Sequence, residues 1–205
     1  MRTRGVALVR VSAVIVTRGD VNLDRIIEGP WPEPFTEIVV WDNSVETDMK
    51  VYGRYAAIKK ASHPVIYVQD DDCILPLQSL QTLVDAYEPG RLVANMPRSR
   101  WEGYPDSSLL GWGAIFDAHL PRESFGKLPH LFVREDDREW FHLTCDVAFS
   151  ALSRRTVIDV PFVHLPWAEG PDRMFTGRPT HSEERERMLE LCRSVRGEDD
   201  DRRDW

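Results

Sequence analysis

Apolar residues gather into short runs that alternate with polar stretches along the first half of the chain. Residues 11–16, 37–42 and 65–70 are rich in valine and isoleucine and predict three buried strands. Their hydrophobicity is nearly continuous, which is typical of strands that are covered on both faces. Three further strands are predicted at residues 92–96, 111–118 and 157–165.

A helix is predicted after the third strand, because apolar residues recur there at helical spacing and would form one stripe. These residues are Leu77, Leu80, Leu83, Val84 and Tyr87. Strand and helix therefore alternate, which predicts βαβ units. We expect an α/β fold with a mostly parallel central sheet flanked by helices.

The second half of the chain is less regular. Residues 97–110 and 166–179 are rich in proline, glycine and tryptophan, and long irregular stretches of this kind are often binding loops or lids. A last helix is predicted to begin near Thr180, because Glu183 follows three residues later as in a capping box. Its apolar face would carry Met188, Cys192 and Val195.

Polar residues follow each of the first three predicted strands, at residues 17–20, 42–44 and 70–72. In a parallel sheet the carboxyl ends of the strands meet at one edge, and ligands bind beyond that edge. We therefore expect these three groups to lie along one edge, where a ligand would bind.

The third group, Asp70-Asp71-Asp72, is the main candidate for chemistry. Three adjacent carboxylates repel one another near a buried strand end unless a cation offsets their charge. Mg²⁺ and Mn²⁺ prefer carboxylate oxygens and keep coordination positions for substrate phosphates. Asp70 and Asp72 therefore predict a divalent metal that bridges the protein and a diphosphate. The alternative is a solvated acidic turn.

Basic residues around the start of the last helix would suit an anion. His181 lies at the predicted helix N-terminus, where backbone N–H groups and the helix dipole favour negative charge. Arg178 and Arg185 would add charge-assisted hydrogen bonds to phosphate. Residues 166–179 would then form a lid over a leaving diphosphate.

Several single residues outside these groups also indicate function. Asp146 interrupts the apolar run LTCDVAFSAL, where an unpaired carboxylate would be expensive to bury, and this favours a functional or ion-paired role. His164 is expected to be a satisfied buried histidine. The aromatic residues Trp101, Tyr104 and Trp112 would line a sugar-acceptor groove. The alternative is that they are ordinary aromatic residues of the core or its rim.

The composition is that of an ordinary globular protein, with 42% hydrophobic and 29% charged residues among 205. This length suits one α/β domain, expected at residues 1–197, followed by a charged, frayed tail at 198–205. The formal net charge of −8 argues mildly against a protein that grips a nucleic-acid backbone. Three scattered cysteines with no CxxC pair indicate neither a disulfide framework nor a zinc site.

A cytoplasmic protein without a membrane partner is expected. Arg2 and Arg4 precede an apolar stretch as in a signal peptide, but Arg10 interrupts it. Residues 11–16 alone are too short for a secretory or membrane segment.

The order of these segments resembles the GT-A glycosyltransferases, and more specifically the catalytic domain of the exostosin-like family. The resemblance spans residues 11–197 and is carried by VIVTRGD, EIVVWDNS, VIYVQDDDCILP, LVANMPR, LLGWGAIFDAHL, TCDVAFSAL and finally His181, Arg185 and Cys192. It implies transfer of a sugar from a UDP-sugar with Mn²⁺, or Mg²⁺ in its place, and with retention of anomeric configuration. The acceptor, which the sequence does not name, would be a glycan, a protein or a modified nucleic acid.

The resemblance also implies a role for each matched residue. The nucleotide would be bordered or held by Thr17, Arg18, Asp42, Asn43 and Arg54. The metal motif would be Asp70, Asp71 and Asp72, with His181 as a further contact to the diphosphate or the metal. Asp146 would be the active-site carboxylate and Arg185 the basic residue near the diphosphate. For Arg18 and Arg54, ordinary surface arginines are the alternative.

This chain departs from the family in two respects. It is shorter than the usual catalytic domain, and Thr144-Cys145-Asp146 stands where the family tends to carry a cysteine followed by two aspartates. Two other functions stay open. A sugar-phosphate nucleotidyltransferase would need a glycine-rich loop after the first strand, where residues 17–20 hold one glycine. The second open function is that of a non-catalytic module that binds nucleotide sugars or glycans.

Overall fold

The computed structural model describes residues 9–29, 31–168 and 178–196. The strands are β1 (Val11–Thr17), β2 (Phe35–Asp42), β3 (Val65–Asp70), β4 (Cys73–Ile74), β5 (Leu92–Asn95), β6 (Ala114–Asp117), β7 (Arg155–Ile158) and β8 (Val163–His164). The α-helices are α1 (Asp24–Ile27), α2 (Gly53–Ala57), α3 (Leu77–Ala86), α4 (Arg98–Trp101), α5 (Leu120–Phe125), α6 (Glu135–Leu152) and α7 (His181–Arg196). Within these ranges no helix combines the length and the apolar character that crossing a bilayer requires.

Six strands form one sheet in the order β2-β1-β3-β6-β5-β7. Strand β6 runs antiparallel to its neighbours β3 and β5, whereas the other strand pairs are parallel. The expected α/β class with a mostly parallel sheet and flanking helices is thus confirmed. The antiparallel direction of β6 was not foreseen in the run at 111–118.

The core lies on both faces of this sheet because side chains alternate along each strand. On one face Val14 and Val68 pack with α2, α5, α6 and α7. On the other face Ala13 and Tyr67 pack with α3. The apolar stripe predicted for α3 is confirmed in part: Leu80 and Leu83 are buried, but Leu77 is 50% exposed.

The run predicted as one strand at 157–165 is two separate strands. β7 ends at Ile158, and β8 begins at Val163 and pairs with β4 in a small antiparallel sheet. Pro161, which lies between them, has no N–H for a ladder hydrogen bond, so a continuous central strand is disfavoured there.

Helix α6 is the main element that the sequence analysis missed. Its first turn carries Glu135, Asp136 and Asp137, which the helix dipole stabilises at an N-terminus. Its buried residues include Phe141, Cys145, Ala148 and Leu152, which are spaced by three or four residues. α6 packs against α7, whose buried residues Met188 and Cys192 lie on the predicted apolar face.

Candidate active site

The three strand ends that we expected to meet do lie along one edge of the sheet. Thr17 is opposite Asp42 in the β1–β2 register, and Val16 is opposite Asp70 in the β1–β3 register. β2 and β3 lie on opposite sides of β1, so the connections after β1 and β3 depart from a topological switch point. This is where open α/β sheets bind their ligands.

The three aspartates after β3 lie in different environments. Asp71 is 5% exposed, and its Oδ2 accepts a hydrogen bond of 2.8 Å from Thr17 Oγ1, which is itself buried. This contact joins the ends of β1 and β3. The side chains of Thr17 and Asp71 are therefore buried and bound to each other.

Asp70 is held from two sides. Its side chain is 37% exposed and forms an ion pair with Arg54. On the other side lies Gly111, whose carbonyl accepts a 2.8 Å hydrogen bond from the Asp70 backbone N–H. A Cβ atom at Gly111 would stand 1.9 Å from Asp70 Oδ2, so only glycine allows this approach.

Arg54 lies between two carboxylates that are far apart in sequence. It is 1% exposed, and besides Asp70 it approaches Asp146, with Nη1 3.0 Å from Oδ2. The sequence analysis expected Arg54 to hold the nucleotide or to be a surface arginine. Its burial contradicts the surface reading, and its guanidinium pairs with both carboxylates.

Asp146 lies on α6 and has a second partner on α2. Tyr55 donates a hydrogen bond of 2.7 Å from its hydroxyl to Asp146 Oδ1, while Arg54 approaches Oδ2. The side chain of Asp146 is 21% exposed, so the carboxylate is largely enclosed by the protein. The ion-paired reading of Asp146 is therefore correct, and its paired position leaves a functional role open.

The electrostatics of this group are strongly coupled. Burial raises the pKa of Asp146, and the positive charge of Arg54 and the Tyr55 hydrogen bond oppose this effect. Burial alone would lower the pKa of Arg54, but the carboxylates of Asp146 and Asp70 outweigh it and raise that pKa. Burial and the negative charge of Asp146 raise the pKa of Tyr55. Tyr55 thus stays a hydrogen-bond donor at neutral pH.

Arg185, on α7, acts electrostatically on the same carboxylate. Its charge lowers the pKa of Asp146, against the dominant effect of burial. Its guanidinium lies 4.3 Å from the centre of the Tyr104 ring, and Nη1 donates a 2.6 Å hydrogen bond to the Tyr104 hydroxyl. Arg185 is thus placed near Asp146, and Tyr104 has this arginine as its partner.

Arg178 and Thr180 are bound to Glu184 on the first turn of α7. Arg178 donates from Nε and Nη2 to the two carboxylate oxygens of Glu184 at 2.8 and 2.7 Å. The Thr180 hydroxyl donates to the same carboxylate at 3.1 Å. Glu184, and not the expected capping-box residue Glu183, therefore organises the start of this helix.

His181 begins α7 and is half-buried. Burial, with the charges of Arg185 and Arg178 adding to it, lowers the pKa of His181, so the neutral imidazole is favoured. Part of the lid expected at 166–179, residues 169–177, lies outside the described residues. The residues before that gap are joined to the acidic run, since Leu165 N–H donates to the Asp72 carbonyl at 2.8 Å and Trp167 Nε1 to the Asp71 carbonyl at 2.9 Å.

The residues after β1 and β2 pack against each other. Arg18 is exposed and pairs with Asp20. Asp42 accepts hydrogen bonds from the backbone and hydroxyl of Ser44, which lower its pKa. Gly19 has a φ of +81°, and a Cβ atom there would lie 2.2 Å from Ser44 Oγ, so this approach requires glycine.

Asn43, which was expected near the base or ribose, has its side chain in the turn after β2. Its Oδ1 accepts from the backbone of Met49 at 2.9 Å, and its Nδ2 donates to the Lys50 carbonyl at 3.1 Å. These contacts fix the chain that leads from β2 towards α2. Asn43 therefore supports the chain that leads to α2.

The aromatic residues proposed for an acceptor groove do not form one group. Trp112 stacks on Phe162 with ring centres 4.9 Å apart, and His164 approaches both rings. Trp101 instead donates a hydrogen bond to the Met96 carbonyl. His164 is exposed on β8, so the expectation that it is buried was wrong.

Metal-binding side chains are only partly assembled. Among the described residues, no three histidine, cysteine, aspartate or glutamate side chains are gathered as a metal site would need. The protein itself offsets part of the acidic charge through Arg54 and Thr17. Mg²⁺ commonly takes only one or two carboxylates together with substrate phosphates, so a site with fewer than three protein ligands is compatible with such a cation.

Two residues at the centre of the site were not singled out from the sequence, Tyr55 and Gly111. Tyr55 follows Arg54 in a short helix that has no strong periodic signal. Gly111 was placed inside a predicted strand, although a glycine before Trp112-Gly113 indicates a turn.

The sequence matches no protein-family profile and no curated protein. Among solved structures it is similar to TarS 1–349 of S. aureus in complex with UDP, at 14% identity and a TM-score of 0.47. The alignment covers 89% of this chain and 65% of that one, so the chain spans about two thirds of its length. It is also similar to a mannosyltransferase of Pyrobaculum calidifontis in complex with GDP-Man and Mn²⁺, at 17% identity and a TM-score of 0.41, covering 73% of this chain and 55% of that one.

Proposed function

We propose that this protein is a glycosyltransferase of the GT-A type that transfers a sugar from a nucleotide sugar, a UDP-sugar, to an acceptor hydroxyl. One observation carries the proposal. At the switch point of the sheet, the acidic run after β3 is joined through buried Arg54 to a second carboxylate, Asp146 on α6. The sequence motifs that resemble exostosin-like enzymes include the acidic run and Asp146.

The acidic run would take the diphosphate end of the donor. Asp72 and the outer part of Asp70 would hold Mn²⁺ or Mg²⁺ together with diphosphate oxygens, and the cation would offset the charge that grows on the leaving group. Arg54 already neutralises part of Asp70. Asp72, the last carboxylate of the acidic run, is the one whose substitution tests cation binding.

Asp146 would take the sugar end. In the transfer, the bond between the anomeric carbon and the phosphate oxygen breaks, the nucleoside diphosphate leaves with the electron pair, and the acceptor oxygen bonds to that carbon and loses its proton. The sugar carries positive charge in the transition state, and a fixed carboxylate nearby stabilises it. Arg185, near Asp146 on α7, would offset charge on the diphosphate.

Two rival functions make different predictions. A sugar-phosphate nucleotidyltransferase would bind a nucleoside triphosphate in a glycine-rich loop, but the single glycine of the turn after β1, Gly19, packs on Ser44 and Asp42. A binding module would take up UDP without turnover. Retention of configuration and the choice of UDP enter from the family resemblance.

A donor panel tests the proposal. The protein is incubated with Mn²⁺ and UDP-glucose, UDP-galactose, UDP-N-acetylglucosamine or GDP-mannose, and release of nucleoside diphosphate is measured. We expect release from at least one UDP-sugar, above the rate of a heat-inactivated control. Binding of UDP by calorimetry with no release would favour the module, and pyrophosphate formation from UTP and a sugar 1-phosphate would favour the nucleotidyltransferase.

A further inference from the structure

Two consecutive residues of α2 contact the two oxygens of one carboxylate. Arg54 Nη1 lies 3.0 Å from Asp146 Oδ2, and the Tyr55 hydroxyl donates to Asp146 Oδ1 at 2.7 Å. These residues are separated from Asp146 by about ninety positions of sequence. The carboxylate is therefore fixed in direction by α2, although it belongs to α6.

We propose that Arg54 and Tyr55 are positioning residues, which hold Asp146 as an oriented negative charge and set its separation from the acidic run. The inference rests on the proposed function, because it assigns what α2 contributes to that reaction. Neither residue needs to touch the substrate. They act through Asp146, and Arg54 also acts through Asp70.

The packing of α2 makes it a rigid support. A Cβ atom at Gly53 would lie 2.4 Å from Cδ1 of Trp41, so glycine lets this helix press directly against β2. The ring of Tyr55 is edge-on to Phe125 and Phe149, with centres 5.0 and 5.7 Å away. With its ring fixed, the Tyr55 hydroxyl oxygen keeps its position beside Asp146.

Orientation matters because a charge assists a reaction only where charge develops in the transition state. A carboxylate with both oxygens bound loses rotational freedom before the substrate arrives, which is the benefit of preorganisation. Arg54 adds a second constraint, since one guanidinium contacts both Asp70 and Asp146. The donor end and the sugar end of the site thus keep a fixed spacing.

Tyr55→Phe tests the inference, because it removes only the hydroxyl and keeps the ring. The probe is nucleoside diphosphate release from the most active donor of the panel. We expect kcat to fall about tenfold, the effect of losing one hydrogen bond worth about 1.4 kcal/mol, with KM changed less than about twofold. Tyr52→Phe, which removes a hydroxyl from the preceding turn, is the matched control and should retain kcat.

A double variant separates positioning from a general structural role. If Tyr55 acts through the charge of Asp146, adding Tyr55→Phe to Asp146→Asn should lower kcat by less than about twofold further. A purely structural effect would lower it about equally in both backgrounds, and that result would overturn the inference. Arg54→Lys, which keeps the charge but not the planar fork, should retain part of kcat and lose more of it than Tyr52→Phe.

The outcomes distinguish the inference from the function that it rests on. An active wild type with normal kcat in Tyr55→Phe would overturn the inference alone. A wild type that releases no nucleoside diphosphate from any donor would overturn the proposed function and the inference with it. A tenfold loss of kcat that disappears in the Asp146→Asn background supports both.

Discussion

At the scale of single residues, Asp146 is a charge placed where the surrounding sequence is apolar. A buried carboxylate is costly unless it is paired and hydrogen-bonded. Here Arg54 provides the ion pair and Tyr55 the hydrogen bond, and the side chain of Asp146 remains 21% exposed. The exposed remainder is what a substrate would meet.

Asp146→Asn should separate turnover from donor binding. The amide can still accept from Tyr55, but it carries no charge to oppose a positive sugar. We expect kcat to fall about a hundredfold or more, the scale of a group that acts in the transition state, while the Kd for UDP stays within a few-fold. Asp136→Asn, on the exposed first turn of α6, is the control. Lost UDP binding would instead place Asp146 in the nucleotide or metal shell.

Gly111 is required for a spatial reason. A Cβ atom at that position would stand 1.9 Å from Asp70 Oδ2, so Gly111→Ala must displace either Asp70 or the turn. We expect a loss of about 1–3 kcal/mol in the free energy of unfolding, as for other overpacked sites, and at least tenfold weaker binding of UDP in Mn²⁺. At Gly103 a Cβ atom would meet its nearest neighbour at 3.5 Å, so Gly103→Ala should change neither quantity. Urea unfolding measures the free energy of unfolding, and calorimetry measures the binding of UDP.

At the scale of secondary structure, the first three strands are also joined by a side chain away from the site. Glu37 on β2 accepts hydrogen bonds from Ser12 on β1 and from the backbone and hydroxyl of Ser62, which precedes β3. The hydrogen bond from Ser12, followed by those from Ser62, lowers the pKa of Glu37 below its usual 4.5. The contribution of Glu37 to the pairing of these strands therefore depends on pH.

The sign of this coupling follows from the lowered pKa. Near pH 4 the unfolded chain binds more protons at Glu37 than the folded chain, so its stabilising effect is complete above about pH 4.5 and is lost as the pH falls through the folded pKa. We expect Glu37→Gln to lower the free energy of unfolding at neutral pH, and the two proteins to converge as the pH falls below the lowered pKa of Glu37. The exposed Glu88 offers a control, because Glu88→Gln should give a small difference at every pH. If the free energies of unfolding of the wild type and Glu37→Gln differed by the same amount at every pH, the prediction would be wrong.

At the scale of the whole molecule, a net charge of −8 would repel, at long range, the anionic donor of the proposed function. A divalent cation would offset most of the negative charge of the acidic run, so donor binding should depend on it. Binding to the folded state also stabilises the fold by mass action. Ligand affinity can therefore be measured as stability of the whole chain.

UDP and Mn²⁺ together should raise the free energy of unfolding by about 2.7 kcal/mol when the free ligand is a hundred times its Kd. UDP with EDTA, or UDP and Mn²⁺ with Asp72→Ala, should give little of this gain. Asp85→Ala, at an exposed position of α3, should keep it. Thermal unfolding followed by fluorescence is a suitable measurement. An equal gain for UDP in EDTA would remove the metal from the proposed function.

The sequence alone determined the strands that carry the site and the edge at which they end. The runs at 11–16, 37–42 and 65–70 are mostly apolar, because parallel strands covered on both faces have few polar positions, and this signal is local. The acidic run is also a local signal, because three consecutive carboxylates directly after an apolar strand can be recognised in the sequence itself. The face of α7 could also be predicted from spacing.

Only the tertiary structure decided which of these polar residues are enclosed and which pairs they form. Arg54, Tyr55 and Asp146 become partners because α2 and α6 pack on the same face of the sheet, and no local pattern records a contact across about ninety residues. The same applies to Asp70 and Gly111, which lie about forty positions apart. Periodicity reports which side of an element is apolar, whereas the pairing of buried charges depends on how elements cross, and that is fixed only when the whole chain packs.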